Sequence, residues 1–181
     1  MYSLNVPVPS AVARLAGDLA RDLPEARSRR RGEHTLVCKR LDGGDSGVDH
    51  RAGAGHGSGA AARLDARVRE AVAGTAPFAA RVTGVDQFRG AVTGPSPVVY
   101  LAVESPGLVD LHRRVCEAFD PIEGLEGEDY VPHVTVARGG SSAAAEAICE
   151  RDVEPVEWTV AELQVYDADH AQPVSTLSLP A

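Results

Sequence analysis

Lysine is almost absent: Lys39 is the only one among 18 basic residues, and the rest are arginine. Cysteine is scarce too. Cys38, Cys116 and Cys149 are odd in number, widely spaced and free of any C-x-x-C pair, which argues against a disulfide framework and a thiolate zinc site. They read as small apolar residues of core or surface. No stretch approaches the roughly 20 apolar residues that a membrane helix needs. The opening Met1–Val6 alternates like a strand, without the basic start and long apolar run of a secretion signal. Together these absences point to a soluble, cytoplasmic chain with no membrane contact and no evident obligate protein partner.

What is present is enough for one sizeable domain of 181 residues, or for two small lobes sharing a cleft. The net charge of −8, with abundant alanine, valine, aspartate and glutamate, resembles proteins that work in concentrated salt; a GC-rich genome gives a similar bias. An acidic total does not exclude a nucleic-acid ligand, because a local arginine cluster can hold a few phosphates.

Periodicity orders the chain. Residues 1–8 read as a strand, followed by a helix opening at Pro9-Ser10 with Val12, Leu15, Leu19 and Leu23 in one stripe, closed by Pro24. A basic connection (Arg27, Arg29, Arg30, Arg31) leads to a second strand over 34–41. Residues 42–60 are glycine-rich and aperiodic, a mobile loop in which His50 and His56 lack the cysteines or spaced carboxylates of a metal site. A helix over 60–72, strands over 78–89 and 98–103, and a helix over 108–119 follow. His112 falls beside the apolar stripe of that last helix and reads as a surface histidine. A strand over 131–138, a short helix to Cys149, and strands over 157–166 and 174–179 complete the chain. The expected fold class is α+β: two pseudo-symmetric lobes with antiparallel sheets facing a central cleft, helices on the outside. The lobes would divide a single domain near residue 90.

The densest chemistry lies in Pro132-His133-Val134-Thr135-Val136-Ala137-Arg138. Alternate residues of a strand share a face, so His133 and Thr135 stand together while Val134 and Val136 face a helix. An imidazole with an ordinary pKa near ~6.5 gives or takes a proton at neutral pH. A neighbouring hydroxyl donates to a phosphate oxygen.

This segment, preceded by strand Val98–Val103 and helix Leu108–Phe119, resembles the C-terminal half of the 2H phosphoesterases, which include 2′-5′ RNA ligases and RNA 2′,3′-cyclic phosphodiesterases. Tyr2–Pro7 followed by Pro9–Val12 resembles the family's first strand and helix. The resemblance implies two H-x-T motifs facing across a cleft and reversible, metal-independent acid–base chemistry on a phosphodiester, with no cofactor. One histidine would activate water or a ribose hydroxyl, and the other would protonate the leaving oxygen. The threonines would hold the non-bridging oxygens. The implied substrate is an RNA end or small oligonucleotide bearing a 2′,3′-cyclic phosphate or a 2′-5′ linkage, or else a small cyclic-phosphate metabolite.

The first motif departs from the pattern. In Glu33-His34-Thr35-Leu36-Val37 the threonine follows histidine directly. Either His34 faces the cleft and a bulge turns Thr35 the same way, or Glu33 occupies the histidine position and His34 is structural. The expectation adopted is His34 with His133 as the acid–base pair, and Thr35 with Thr135 on the phosphate. The rival is an RNA-end or nucleotide-binding protein with a degenerate first motif. Arg138, on the face opposite Thr135, with Arg31 and Lys39, are candidates for the RNA backbone. Tyr130 and Tyr166 are candidates for stacking a base.

Overall fold

The computed structural model describes residues 1–29, 34–41 and 57–180, with only the backbone for 57–61. The elements run β1 (Tyr2–Pro7), α1 (Ser10–Ala20), β2 (Arg27–Ser28), β3 (Thr35–Arg40), α2 (Gly57–Val72), β4 (Phe78–Phe88), β5 (Val98–Glu104), α3 (Pro106–Ala118), a 3₁₀ turn (Gly127–Asp129), β6 (His133–Arg138), α4 (Ser142–Cys149), β7 (Val156–Val160), β8 (Glu162–Asp167) and β9 (Gln172–Ser178). Of the glycine-rich segment, 42–56 lies outside the described residues, with His50 and His56, and Gly57 already opens α2.

The helices form where the stripes predict. Val12, Ala16 and Leu19 of α1 are buried in line. In α3 the Ser105 hydroxyl accepts the Leu108 N–H at 3.3 Å, and Pro106 sits where no intrahelical donor is needed. The same hydroxyl donates to Ala79 O at 2.7 Å, so the cap also anchors α3 to β4. No helix among the described residues is long and apolar enough to cross a membrane.

The nine strands among the described residues form one sheet of antiparallel pairs in the order β7-β4-β5-β6-β3-β1-β8-β9, with β2 on β6. The single strand expected over 157–166 is two strands broken at Ala161. β7 pairs with β4 near one edge, whereas β8 pairs with β1 near the other. In a flat sheet six spacings would put them about 29 Å apart, yet the two residues flanking Ala161 are separated by at most about 7 Å of chain. The sheet must therefore curl into a half-barrel. Helices α1, α3 and α4 pack on its outer side, over a core that includes Leu4, Val6, Leu36, Leu101, Val134 and Phe119. The architecture is the expected α+β arrangement of two similar halves around a cleft. The half-sheets draw strands from both sides of residue 90, since β8 and β9 return to β1.

The halves meet where β3 and β6 lie side by side, with Leu36 opposite Val134. Both strands show the same succession of half-buried and buried residues, including two buried residues in a row before the final arginine. That doublet marks a bulge. In β1–β3 the pairing jumps from Leu4–Lys39 to Asn5–Val37, skipping Cys38. In β5–β6 it jumps from Val99–Ala137 to Tyr100–Thr135, skipping Val136. Each bulge follows two residues after the central pair, so β1-α1-β3 and β5-α3-β6 are related by a local two-fold.

Candidate functional site

His133 opens β6. Its Nδ1 lies 2.7 Å from Val131 O; a carbonyl only accepts, so Nδ1 carries the proton in the neutral ring and Nε2 is left for chemistry. The imidazole stands edge-on to Phe88 and tilted to Tyr100, both at 5.2 Å between centroids, and those two rings stack at 4.3 Å. Burial behind this wall pulls the His133 pKa down, the Val131 hydrogen bond pushes it back, and the Arg40 and Arg138 charges lower it again, for a net downward shift. The neutral imidazole is therefore the resting form at neutral pH. Thr135 lies two residues on along the same face. The antiparallel pairing centred on Leu36 and Val134 sets Thr35 opposite Thr135 and Val37 opposite His133. His133, both threonines and Val37 thus share the inner face.

Arg138 was expected on the face opposite Thr135, but the bulge at Val136 re-aims it. It lines the cleft with His133, Arg40, Phe88 and Tyr130, and its Nη1 donates to Thr93 O at 3.0 Å. The bulge at Cys38 turns Arg40 inward in the same way. Burial first, then the Arg29 and Arg40 charges, lower the Arg138 pKa, the signature of guanidiniums crowded round one space. An acidic protein thus holds a local positive cluster that suits a phosphate.

His34 does not join this group. It is 5 % exposed and its Nδ1 donates to the main-chain oxygen of Thr135 at 3.3 Å. Its side chain lies against α1 beside Ala13, Arg14 and Gly17, the outer side to which strand alternation from inward-facing Thr35 carries it. The expectation that His34 faces His133 across the cleft is corrected accordingly. Lys39 is corrected too: it is fully buried, with Nζ 2.7 Å from Glu126 Oε2 and 2.5 Å from Arg40 O, so it is a core cation and not an RNA contact. Arg31 and Glu33 lie outside the described residues.

His112, read as a surface residue, is buried. Its Nδ1 donates to Cys38 O at 2.7 Å and its Nε2 accepts the Gly127 N–H at 2.8 Å, which holds the ring neutral; burial lowers its pKa to match. Tyr130 stacks on it at 3.8 Å and donates its hydroxyl to Val37 O, so this ring is engaged in holding the 120–132 segment to β3. Tyr166 lines the opposite end of the cleft with Asn5 and Thr35. The sequence reasoning missed Arg40, Phe88 and Glu126; the Lys39-Arg40 step, ending β3 as Ala137-Arg138 ends β6, was the available signal for the first.

Residues 51–172 match the model of the 2′-5′ RNA ligase superfamily. No curated protein matches significantly. Among solved structures, TT0787 of Thermus thermophilus is similar with a TM-score of 0.65 at 16 % identity, covering 98 % of this chain and 97 % of that one. LigT of E. coli, crystallised with 3′-AMP, gives 0.61 at 16 % identity over 99 % and 97 %. A protein described as a phosphoesterase gives 0.62 at 13 % identity over 99 % and 98 %. At such identities the likeness carries the fold, and the family match carries membership. The chain belongs to the 2′-5′ RNA ligase superfamily of 2H phosphoesterases.

Proposed function

We propose that the cleft binds phosphoester ends of RNA or small oligonucleotides, 2′,3′-cyclic phosphates above all, through His133, Thr135, Arg138 and Arg40. The observation that carries this is His133 itself: its tautomer is fixed by Val131, and it stands in a cleft shared with two arginines. Neutral Nε2 accepts a proton from water or a ribose hydroxyl; once protonated it donates to a phosphate or leaving oxygen. The Thr135 hydroxyl donates to a non-bridging oxygen, and the guanidiniums offset its charge. A 3′-AMP complex of the structural neighbour LigT supports a nucleotide phosphate as the ligand class.

Metal-independent RNA 2′,3′-cyclic phosphodiesterase action, with its reversal as 2′-5′ ligation, is the activity that family membership favours. By the paired mechanism it needs a second acid–base group, and the contacts of His34 on the α1 side weigh against that residue. A binding protein with slow turnover at most is the reading the geometry supports best.

Titration calorimetry with 2′,3′-cyclic AMP tests it. This ligand keeps one negative charge across the working range, so any pH dependence belongs to the protein. The His133 pKa lies below its ordinary value and an anion raises it by favouring the charged ring. Affinity should therefore climb as pH falls through the raised value of the complex and level off below the lowered value of the free protein. His133→Ala should bind more weakly, with no such rise. Equal affinity in that variant counts against the proposal. EDTA-resistant hydrolysis that His34→Ala abolishes would restore the paired-histidine mechanism, and loss on Glu33→Gln instead would name Glu33 as the second group.

A further inference from the structure

The local two-fold makes the cleft a pair of half-sites. One consists of His133, Thr135 and Arg138 on β6, Tyr100 on β5 and Phe88 on β4. An axis through the Leu36–Val134 pair carries these positions onto Thr35, Val37 and Arg40 on β3. The bulged ladders carry Tyr100 onto Asn5, because these residues pair with Thr135 and Val37. They carry Phe88 onto Tyr166, the partners of Val98 and Ser3 next to each arginine. The arginine and the aromatic ring are kept. The histidine is not: Thr35 holds its place, and Val37 holds that of the threonine.

The remodelled half has a feature that its counterpart lacks. Asn5 is 1 % exposed and its side-chain Oδ1 has no hydrogen-bond partner among the described residues. It nevertheless lines a cavity with Ser3, Thr35, Arg40 and Tyr166. A buried acceptor without a donor is unfavourable and is kept satisfied in nearly all proteins, so a donor brought by a ligand gives it a purpose. Val37 and Arg40 line both this cavity and the one holding His133, so a phosphate between the arginines has room on either side.

We propose that the N-terminal half of the cleft is a recognition subsite and not a second acid–base centre. Thr35 occupies the position mirroring His133, and the buried Asn5 carbonyl accepts a hydrogen bond from an N–H or O–H of the nucleoside esterified to the phosphate, beside the ring of Tyr166. This rests on the reading that the cleft binds phosphoesters, and it assigns the half of the ligand that the phosphate contacts do not read.

Two variants test it. Asn5→Leu removes the acceptor and keeps the branched side-chain shape with the same number of heavy atoms; the ratio of affinities for 2′,3′-cyclic AMP and inorganic phosphate should fall about tenfold, one lost hydrogen bond's worth. Thr35→His/Val37→Thr rebuilds the mirrored pair; EDTA-resistant hydrolysis of 2′,3′-cyclic AMP should rise at least about 100-fold, the low end of general acid–base catalysis, and vanish again when His133→Ala is added. Thr35→His alone serves if the double variant does not fold, as judged by circular dichroism. An unchanged affinity ratio in folded Asn5→Leu overturns the subsite. Rapid wild-type hydrolysis that gains nothing from a histidine at position 35 overturns the assignment of Thr35. Failure of the wild type to bind either cyclic AMP or phosphate defeats the underlying reading of the cleft instead.

Discussion

Replacing Glu126 by alanine is expected to destabilise the fold by about 3–5 kcal/mol, because it leaves the buried Lys39 charge without a partner. For a chain of this size that is a fall of roughly 6–20 °C in Tm, readable by calorimetry or circular dichroism. The loss is large because Glu126 serves several donors at once. It takes Lys39 Nζ at 2.7 Å, the Arg40 N–H at 2.8 Å and the Ile122 N–H at 3.0 Å, and lies 3.7 Å from the Arg40 guanidinium. Burial pushes the carboxyl's pKa up, but these hydrogen bonds outweigh it and hold the net value below the ordinary glutamate range. The sign follows: the stabilisation is complete above the unfolded value near ~4.3 and is lost as pH falls through the lowered folded one. Glu126→Gln keeps hydrogen bonding but not the charge, and should sit between. Lys39→Met/Glu126→Leu should recover much of the loss, since the penalty belongs to the orphaned cation and not to the missing attraction. The functional consequence is local. This network fastens 120–132 to β3 and so seats Tyr130 and Arg40 beside His133.

Arg138→Ala should weaken 2′,3′-cyclic AMP binding by roughly 10- to 100-fold, corresponding to one or two charge-assisted hydrogen bonds of about 1.5–3 kcal/mol in total. Arg138 is half-buried and already anchored to Thr93 O, so little side-chain freedom is lost when the ligand arrives. A lysine in its place should restore only part of the affinity, lacking the planar fork that meets two phosphate oxygens. The variant has a second readout. Because Arg138 helps hold the His133 pKa down, its removal should shift the pH dependence of binding upward, which calorimetry across pH resolves independently of affinity.

Strand β6 was legible because Val134 and Val136 alternate with His133 and Thr135, and that alternation fixes one shared face. It was not enough for Arg138. A bulge adds a residue without a compositional mark, so nothing in His133–Arg138 announces that the last side chain turns back inward. The same device hid Arg40. For His34 and Thr35 alternation says only that they face opposite ways; which of them is inside depends on Val134 across the ladder and on α1 behind it. Lys39 reads as solvent-facing until Glu126, 87 residues later, is folded onto it. The break at Ala161 did leave a mark that a single strand over 157–166 passes over: the apolar positions run Trp158, Val160 and then Leu163, Val165, a one-residue slip in the alternation, and the two halves pair with opposite ends of a curled sheet.

The most direct measurement is a histidine-resolved NMR pH titration with and without 3′-AMP. The expected result is that the nucleotide raises the lowered pKa of His133, the anion offsetting Arg40 and Arg138, while the signals of His34 and His112 stay where they were. A His133 signal indifferent to the nucleotide, or a His34 signal that moves with it, would contradict a cleft built on a single acid–base histidine.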